Sequence, residues 1–211
     1  MDILANFLDI FLHLDRHLEV LIAAYGLWTY LILFAIVFCE TGLVVTPFLP
    51  GDSLLFAAGS FAALGALDPM VLWGSLILAG VLGDGLNYAI GYRLGPKVFY
   101  SSHQRLFKRE HLLRTQAFYE RHGGKTIVIA RFMPIIRTFA PFVAGIGKMR
   151  YVRFAAYNVV GAVLWVTAFI WGGYLFGNLP AVRDNFTAVI LAIVVISVLP
   201  GVVRVIQSRH R

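Results

Sequence analysis

The sequence predicts an all-α polytopic membrane protein. About four spanning helices are expected, with two opposed re-entrant hairpins arranged as an inverted repeat and amphipathic helices at the interface. Three observations carry this. Of 211 residues, 59% are hydrophobic and only 14% charged, against roughly 25% charged in an ordinary soluble domain. Two of the apolar stretches carry prolines and charges at their centres. The basic residues collect in a few segments instead of spreading along the chain. The mean hydropathy is +0.78, and one membrane domain over residues 1–211 accommodates everything.

The elements follow in order. Residues 1–18 place Ile3, Leu4, Phe7, Leu8, Phe11, Leu12 and Leu14 at near-helical spacing, which reads as a helix lying at the interface. Asp2 and Asp9 stand where a secretory signal would carry Lys or Arg, so no cleavable signal is expected. Spanning segments are expected over 18–39, 70–92, 154–176 and 186–206. Each is close to the ~20 residues needed to cross ~30 Å of hydrocarbon.

Residues 41–64 and 124–146 fit that template badly. The first contains Pro47, Pro50, Gly51 and Asp52; the second contains Arg131, Pro134, Arg137 and Pro141. Proline removes a backbone donor and clashes with the preceding turn, so neither stretch suits a straight helix. Broken backbone at membrane depth needs protein or a water-filled cavity around it. Both segments read as re-entrant hairpins, with a pair of kinked spanning helices as the alternative.

Charge placement orients them. Eight Lys and Arg lie from Arg93 to Lys125; Lys148, Arg150 and Arg153 follow the second broken segment; Arg204, Arg209 and Arg211 close the chain. The positive-inside rule makes all three regions cytoplasmic. Residues 124–146 then enter from the cytoplasm and return to it. The loop 64–69 lacks Lys and Arg and fits the outside, so residues 41–64 enter from there. Both termini are expected in the cytoplasm. Two echoes support a repeat: Phe56-Ala57-Ala58-Gly59 with Phe142-Val143-Ala144-Gly145, and Gly91-Tyr92-Arg93-Leu94-Gly95 with Gly173-Tyr174-Leu175-Phe176-Gly177. Inverted repeats whose broken helices meet at the midplane are typical of secondary transporters. Residues 97–123 form a basic amphipathic stretch that suits a helix on the anionic cytoplasmic leaflet.

Composition also excludes. The net charge of +7 has this topological explanation, so a nucleic-acid partner is not expected. Cys39 is the only cysteine, which rules out an internal disulfide and a thiolate metal cluster. A buried, inert thiol is expected there. No metal site and no cofactor are expected. The P-loop, HExxH and Gly-x-Ser-x-Gly patterns are absent, and no histidine accompanies Arg131 or Arg137 in its apolar segment. The chain does not read as an enzyme.

What remains is a set of charges in greasy sequence: Glu40, Asp52, Asp84, Arg131 and Arg137. A charge at the bilayer centre costs roughly 2.5–3.5 kcal/mol on insertion scales, so such groups pair, line water or bind something charged. On a straight helix Arg131 and Arg137 point about 120° apart. A break at Pro134 can turn both into one cavity. Guanidinium groups suit bidentate contact with phosphate or carboxylate and stay charged. The plainer alternative is that they neutralise the three acids. Asp52 follows Pro50-Gly51 and suits either a helix cap or a proton carrier; Glu40 invites the second reading more. Asp84 and Asn87 share a helix with Gly80, Gly83 and Gly85 and read as polar bonds between closely packed helices.

The run from Glu40-Thr41-Gly42 through Pro47-Phe48-Leu49-Pro50-Gly51-Asp52, with Arg131-Phe132-Met133-Pro134-Ile135-Ile136-Arg137 and Pro141-Phe142-Val143-Ala144-Gly145, closely resembles the bacterial DedA family. The likeness spans essentially the whole chain. It implies an inner-membrane protein with paired re-entrant hairpins, in a wider superfamily that includes eukaryotic lipid scramblases. It also implies that Glu40, Asp52, Arg131 and Arg137 matter. From the residues and the resemblance together, the expected function is a flippase for a phosphate-headed lipid. Undecaprenyl phosphate is the first candidate and phosphatidylethanolamine the second. Arg131 and Arg137 would hold the phosphate; Glu40 and Asp52 would exchange protons. A passive scramblase and a structural or assembly factor stand as alternatives. A monomer and a homo-oligomer are both left open.

Overall fold

The computed structural model describes residues 14–43, 51–100, 124–183 and 185–193. Among them every regular element is helical. The order is α1 (Leu14–Tyr25), α2 (Trp28–Gly42), α3 (Gly51–Ala63), α4 (Pro69–Tyr100), α5 (Lys125–Ala130), α6 (Pro134–Ile146), α7 (Tyr151–Phe176) and α8 (Pro180–Arg183), then a helical stretch over 186–193. Of the amphipathic segments expected over 1–18 and 97–123, residues 1–13 and 101–123 lie outside the described residues; residues 14–18 belong to α1, and residues 97–100 continue α4. Pro47, Pro50 and the end of the expected fourth span also lie outside the described residues.

Among the described residues two helices are long and apolar enough to cross a membrane, Pro69–Leu94 within α4 and Tyr151–Phe176. Neither is a soluble protein's core helix. Leu78, Leu82, Leu86, Val159, Val160 and Leu164 face outward, while Asp84, Asn87 and Asn158 are buried. Apolar side chains outside and charges inside match lipid as the solvent.

The first expected span is two helices, not one. α1 ends at Gly26, whose φ of +51° lies in the left-handed region that favours glycine. The Gly26 N–H donates to Ile22 O, and α2 starts two residues later. α4 is capped by Asp68: its Oδ1 accepts from the N–H groups of Met70 and Val71. The Asp68 N–H donates to Tyr30 Oη and ties this start to α2.

The second broken segment divides at residues 131–133. Pro134 opens α6, and a proline disfavours helical backbone in the residue before it. Met133 accordingly sits at φ −121°, ψ 103°. Pro141 does not break anything. α6 runs through it to Ile146, so the expected break there is corrected. Gly51, by contrast, stands at the first position of α3.

α3 packs on α7, and α6 packs on α4. Each short helix thus lies against the long helix of the other half. The contacts are reciprocal. A methyl group on Gly59 would strike Ile170 O, and one on Gly173 would strike Phe56 O. A methyl on Gly145 would strike Tyr88 O, and one on Gly91 would strike Phe142 O. The two echoed sequence motifs therefore supply the same three positions twice, Phe56, Gly59 and Gly173 at one crossing and Phe142, Gly145 and Gly91 at the other. Small residues let the backbones approach, as membrane helices require.

The interior has three layers. One apolar cluster includes Leu54, Leu55, Leu72, Leu76, Val166 and Ile170. The other includes Tyr88, Ile127, Ala144 and Phe154. Along α4 and α7 the buried polar residues fall between them. Cys39 is exposed on the outer face of α2, which corrects the expected buried thiol; the inner face is Leu33, Val37 and Glu40.

Candidate functional site

The middle layer gathers Glu40, Asp52, Asp84, Arg131 and Arg137, each at most 6% exposed. Local structure delivers them. Glu40 lies in the last turn of α2 and Asp52 in the first turn of α3, on either side of the first break. Arg131 closes α5 and Arg137 lies in the first turns of α6, on either side of the second. Asp84 comes from mid-α4.

Arg137 Nη1 donates to Asp52 Oδ1 at 2.6 Å, and Arg137 Nη2 makes a short ion pair with Glu40 Oε1. Glu40 Oε1 also accepts the Gly51 N–H at 3.2 Å. That approach needs glycine, because a methyl at Gly51 would collide with the Glu40 carboxylate. Arg131 Nη2 donates to Asp84 Oδ2 at 2.6 Å and to Gly80 O at 3.0 Å; its Nη1 donates to Asn158 O at 3.3 Å.

The break at residues 131–133 begins at Arg131 and precedes Arg137. It brings the two arginines to one indole. Trp165, fully buried in α7, has Arg131 Cζ 5.6 Å and Arg137 Cζ 5.2 Å from its ring centroid. Both are within cation–π range. Its Nε1 donates to Asp52 Oδ1 at 2.8 Å. Trp165 was not singled out from the sequence. It is one of several aromatics between Tyr151 and Phe176, where an aromatic reads as lipid-facing or core, and only the contact reveals more. Asn158 was missed as well, although an amide in an apolar helix is a visible signal. Its Nδ2 donates to Val81 O and joins α7 to α4.

Asp52 turns to side chains of the other half, so it is more than a helix cap. Asn87 donates to Thr41 O and Thr138 O and so bridges α2 and α6. Asp84 bonds Arg131 between helices, and this pair is the neutralisation that the plainer alternative offered for the arginines.

The cluster holds three carboxyls and two guanidinium groups. Among the described residues Glu40 Oε2, Ser53 Oγ, Asn87 Oδ1, Asn158 Oδ1 and Arg137 Nε are buried without hydrogen-bond partners. Buried polar atoms of this kind are uncommon in proteins and costly. No grouping of His, Cys, Asp and Glu suited to a metal ion occurs among the described residues.

Comparison with known proteins shows the family. Residues 49–175 match the VTT domain. Over 212 aligned residues, all of this chain and 97% of the other, the sequence is 54% identical to Protein DedA of Escherichia coli strain K12. The chain belongs to the DedA family. More distant relatives carry membrane names. The Uncharacterized membrane protein ML0287 of Mycobacterium leprae is 43% identical over 80% of this chain and 75% of its own length. The Inner membrane protein YghB of Escherichia coli strain K12 is 33% identical over 74% of this chain and 71% of its own. No solved structure matches the chain. The four residues that the family resemblance marks, Glu40, Asp52, Arg131 and Arg137, share one buried layer of this DedA-family membrane protein.

Proposed function

We propose that this DedA-family protein moves a phosphate-headed lipid between the leaflets of the bacterial inner membrane and couples that movement to protons. Undecaprenyl phosphate is the first candidate and phosphatidylethanolamine the second. Both termini face the cytoplasm, and the two broken segments enter from opposite sides.

The observation that carries this reading is the bonding of Arg137. Its guanidinium is held by two carboxylates, Glu40 and Asp52, from either side of a helix break. Phosphate oxygens suit the same fork that carboxylate oxygens occupy. A phosphate headgroup that reaches the cluster competes with the acids for the arginine. A displaced carboxylate in a low-dielectric interior is stabilised by taking a proton. With three carboxyls against two guanidinium groups, the cluster has an acid in excess to carry one. Lipid and proton then bind with positive coupling, each raising the other's affinity. The lipid tail stays in the bilayer throughout.

The test is the lipid that the purified protein retains. Mass spectrometry of detergent-extracted wild-type protein is expected to find a phosphate-headed lipid enriched over the surrounding membrane, and Arg137→Ala is expected to lose it. Equal lipid composition in both preparations and in the membrane contradicts the reading.

A further inference from the structure

We infer that the two buried arginines divide the work: Arg137 takes the phosphate, while Arg131 is a positioning residue that Asp84 locks between the two long helices. This rests on the lipid-transport reading above and narrows it.

The partners of the two residues differ in kind. Arg131 reaches one carboxylate, Asp84, and two backbone carbonyls, Gly80 O on α4 and Asn158 O on α7. Backbone carbonyls in mid-helix cannot turn away. The arginine lies in a slot floored by glycine: a methyl on Gly80 would come within 3.4 Å of Arg131 Nη2, and one on Gly161 within 3.6 Å of Arg131 Cδ. Beside it, Asn158 Nδ2 bonds Val81 O across the same seam. Arg131 with Asp84 is a neutral pair and joins α4 to α7.

Arg137 is held otherwise. The acceptors of its Nη atoms are the carboxylates of Glu40 and Asp52, and both sit at helix ends beside a break. Carboxylates can exchange for phosphate or be neutralised by a proton; carbonyls cannot. Its Nε and Glu40 Oε2 are buried without hydrogen-bond partners among the described residues. The unbalanced charge belongs here as well: Glu40 and Asp52 face one guanidinium. A monoanionic phosphate on Arg137 leaves the subsite neutral when both acids carry protons. Trp165 lies within 6 Å of both guanidinium carbons and gives each a face that needs no anion.

The split between affinity and rate tests the division. The assay is lipid flux in proteoliposomes, measured against the fraction of labelled undecaprenyl phosphate and, in a parallel set, labelled phosphatidylethanolamine. Arg137→Lys keeps the charge but loses the fork, so the half-saturating lipid fraction should rise about tenfold, the worth of a charged hydrogen bond. Arg131→Lys should lower the maximal flux and leave half-saturation within about twofold, because the loosened strut does not touch lipid. The double variant Asp84→Asn with Arg131→Gln removes both charges together and carries the same prediction should the lysine variant fail to fold. Either Arg131 variant raising half-saturation as far as Arg137→Lys overturns the division, and so does an unchanged half-saturation in Arg137→Lys. Wild-type protein that moves neither lipid removes the transport reading itself and this inference with it.

Discussion

Trp165 donates its indole N–H to Asp52 Oδ1 at 2.8 Å, and the same oxygen accepts from Arg137 Nη1 at 2.6 Å. A neutral donor and a charged one therefore hold one carboxylate oxygen. Trp165→Phe keeps an aromatic face for the arginines and removes the N–H. A hydrogen bond to a charged group is worth about 1.5–3 kcal/mol. The variant is expected to melt earlier in detergent by an amount at the lower end of that range, because Arg137 remains. Trp165→Leu, which also removes the face, is expected to lose more. Equal melting of the two variants would show that the ring contributes nothing to the arginines.

The reciprocal glycine contacts predict a pattern, not a single effect. Alanine at Gly59, Gly91, Gly145 or Gly173 places a methyl against a backbone carbonyl of the opposite helix. Overpacking of this sort costs about 1–3 kcal/mol. Gly74 and Gly85 lie in the same helix as Gly91 with nothing within 4 Å of an added methyl. Alanine there should be neutral or stabilising by up to ~1 kcal/mol through helix propensity. Thermal melting of the six single variants reads this directly, and uniform behaviour across the set contradicts the packing.

Much of this was legible before any coordinates. Glu40, Asp52, Arg131 and Arg137 announce themselves because charge in apolar sequence is expensive. Pro134 announces the break because it constrains Met133. The echoed Phe-x-x-Gly motifs mark where helices touch. Three features were not legible. Gly26 ends α1 by adopting a positive φ, and an isolated glycine in an apolar run does not declare its conformation. Pro141 sits within α6, since a proline costs a helix one backbone bond and packing against α4 can outweigh that. Asp84 and Trp165 gain their roles from partners 47 and 113 residues away, and no local spacing encodes such pairings.

Topology gives an independent prediction. Ala66 lies in the turn between α3 and α4, and Lys148 in the turn between α6 and α7; both are exposed. Cys39 is also exposed, so a Cys39→Ser background is needed. In intact cells Ala66→Cys is expected to react with a membrane-impermeant thiol reagent, and Lys148→Cys only after the membrane is opened. Labelling of both from outside contradicts opposed entry of the two broken segments.

Proton coupling is the central claim, and Glu40 with Asp52 carries it. Glu40→Gln and Asp52→Asn each fix one acid in a form that resembles its protonated state. They are expected to abolish gradient-driven accumulation while slow equilibration of lipid between leaflets continues. The most direct measurement is the flux of labelled undecaprenyl phosphate in proteoliposomes with and without an imposed pH gradient. The account predicts that the gradient accelerates wild-type flux and leaves Glu40→Gln and Asp52→Asn unchanged. Wild-type flux indifferent to the gradient would contradict it.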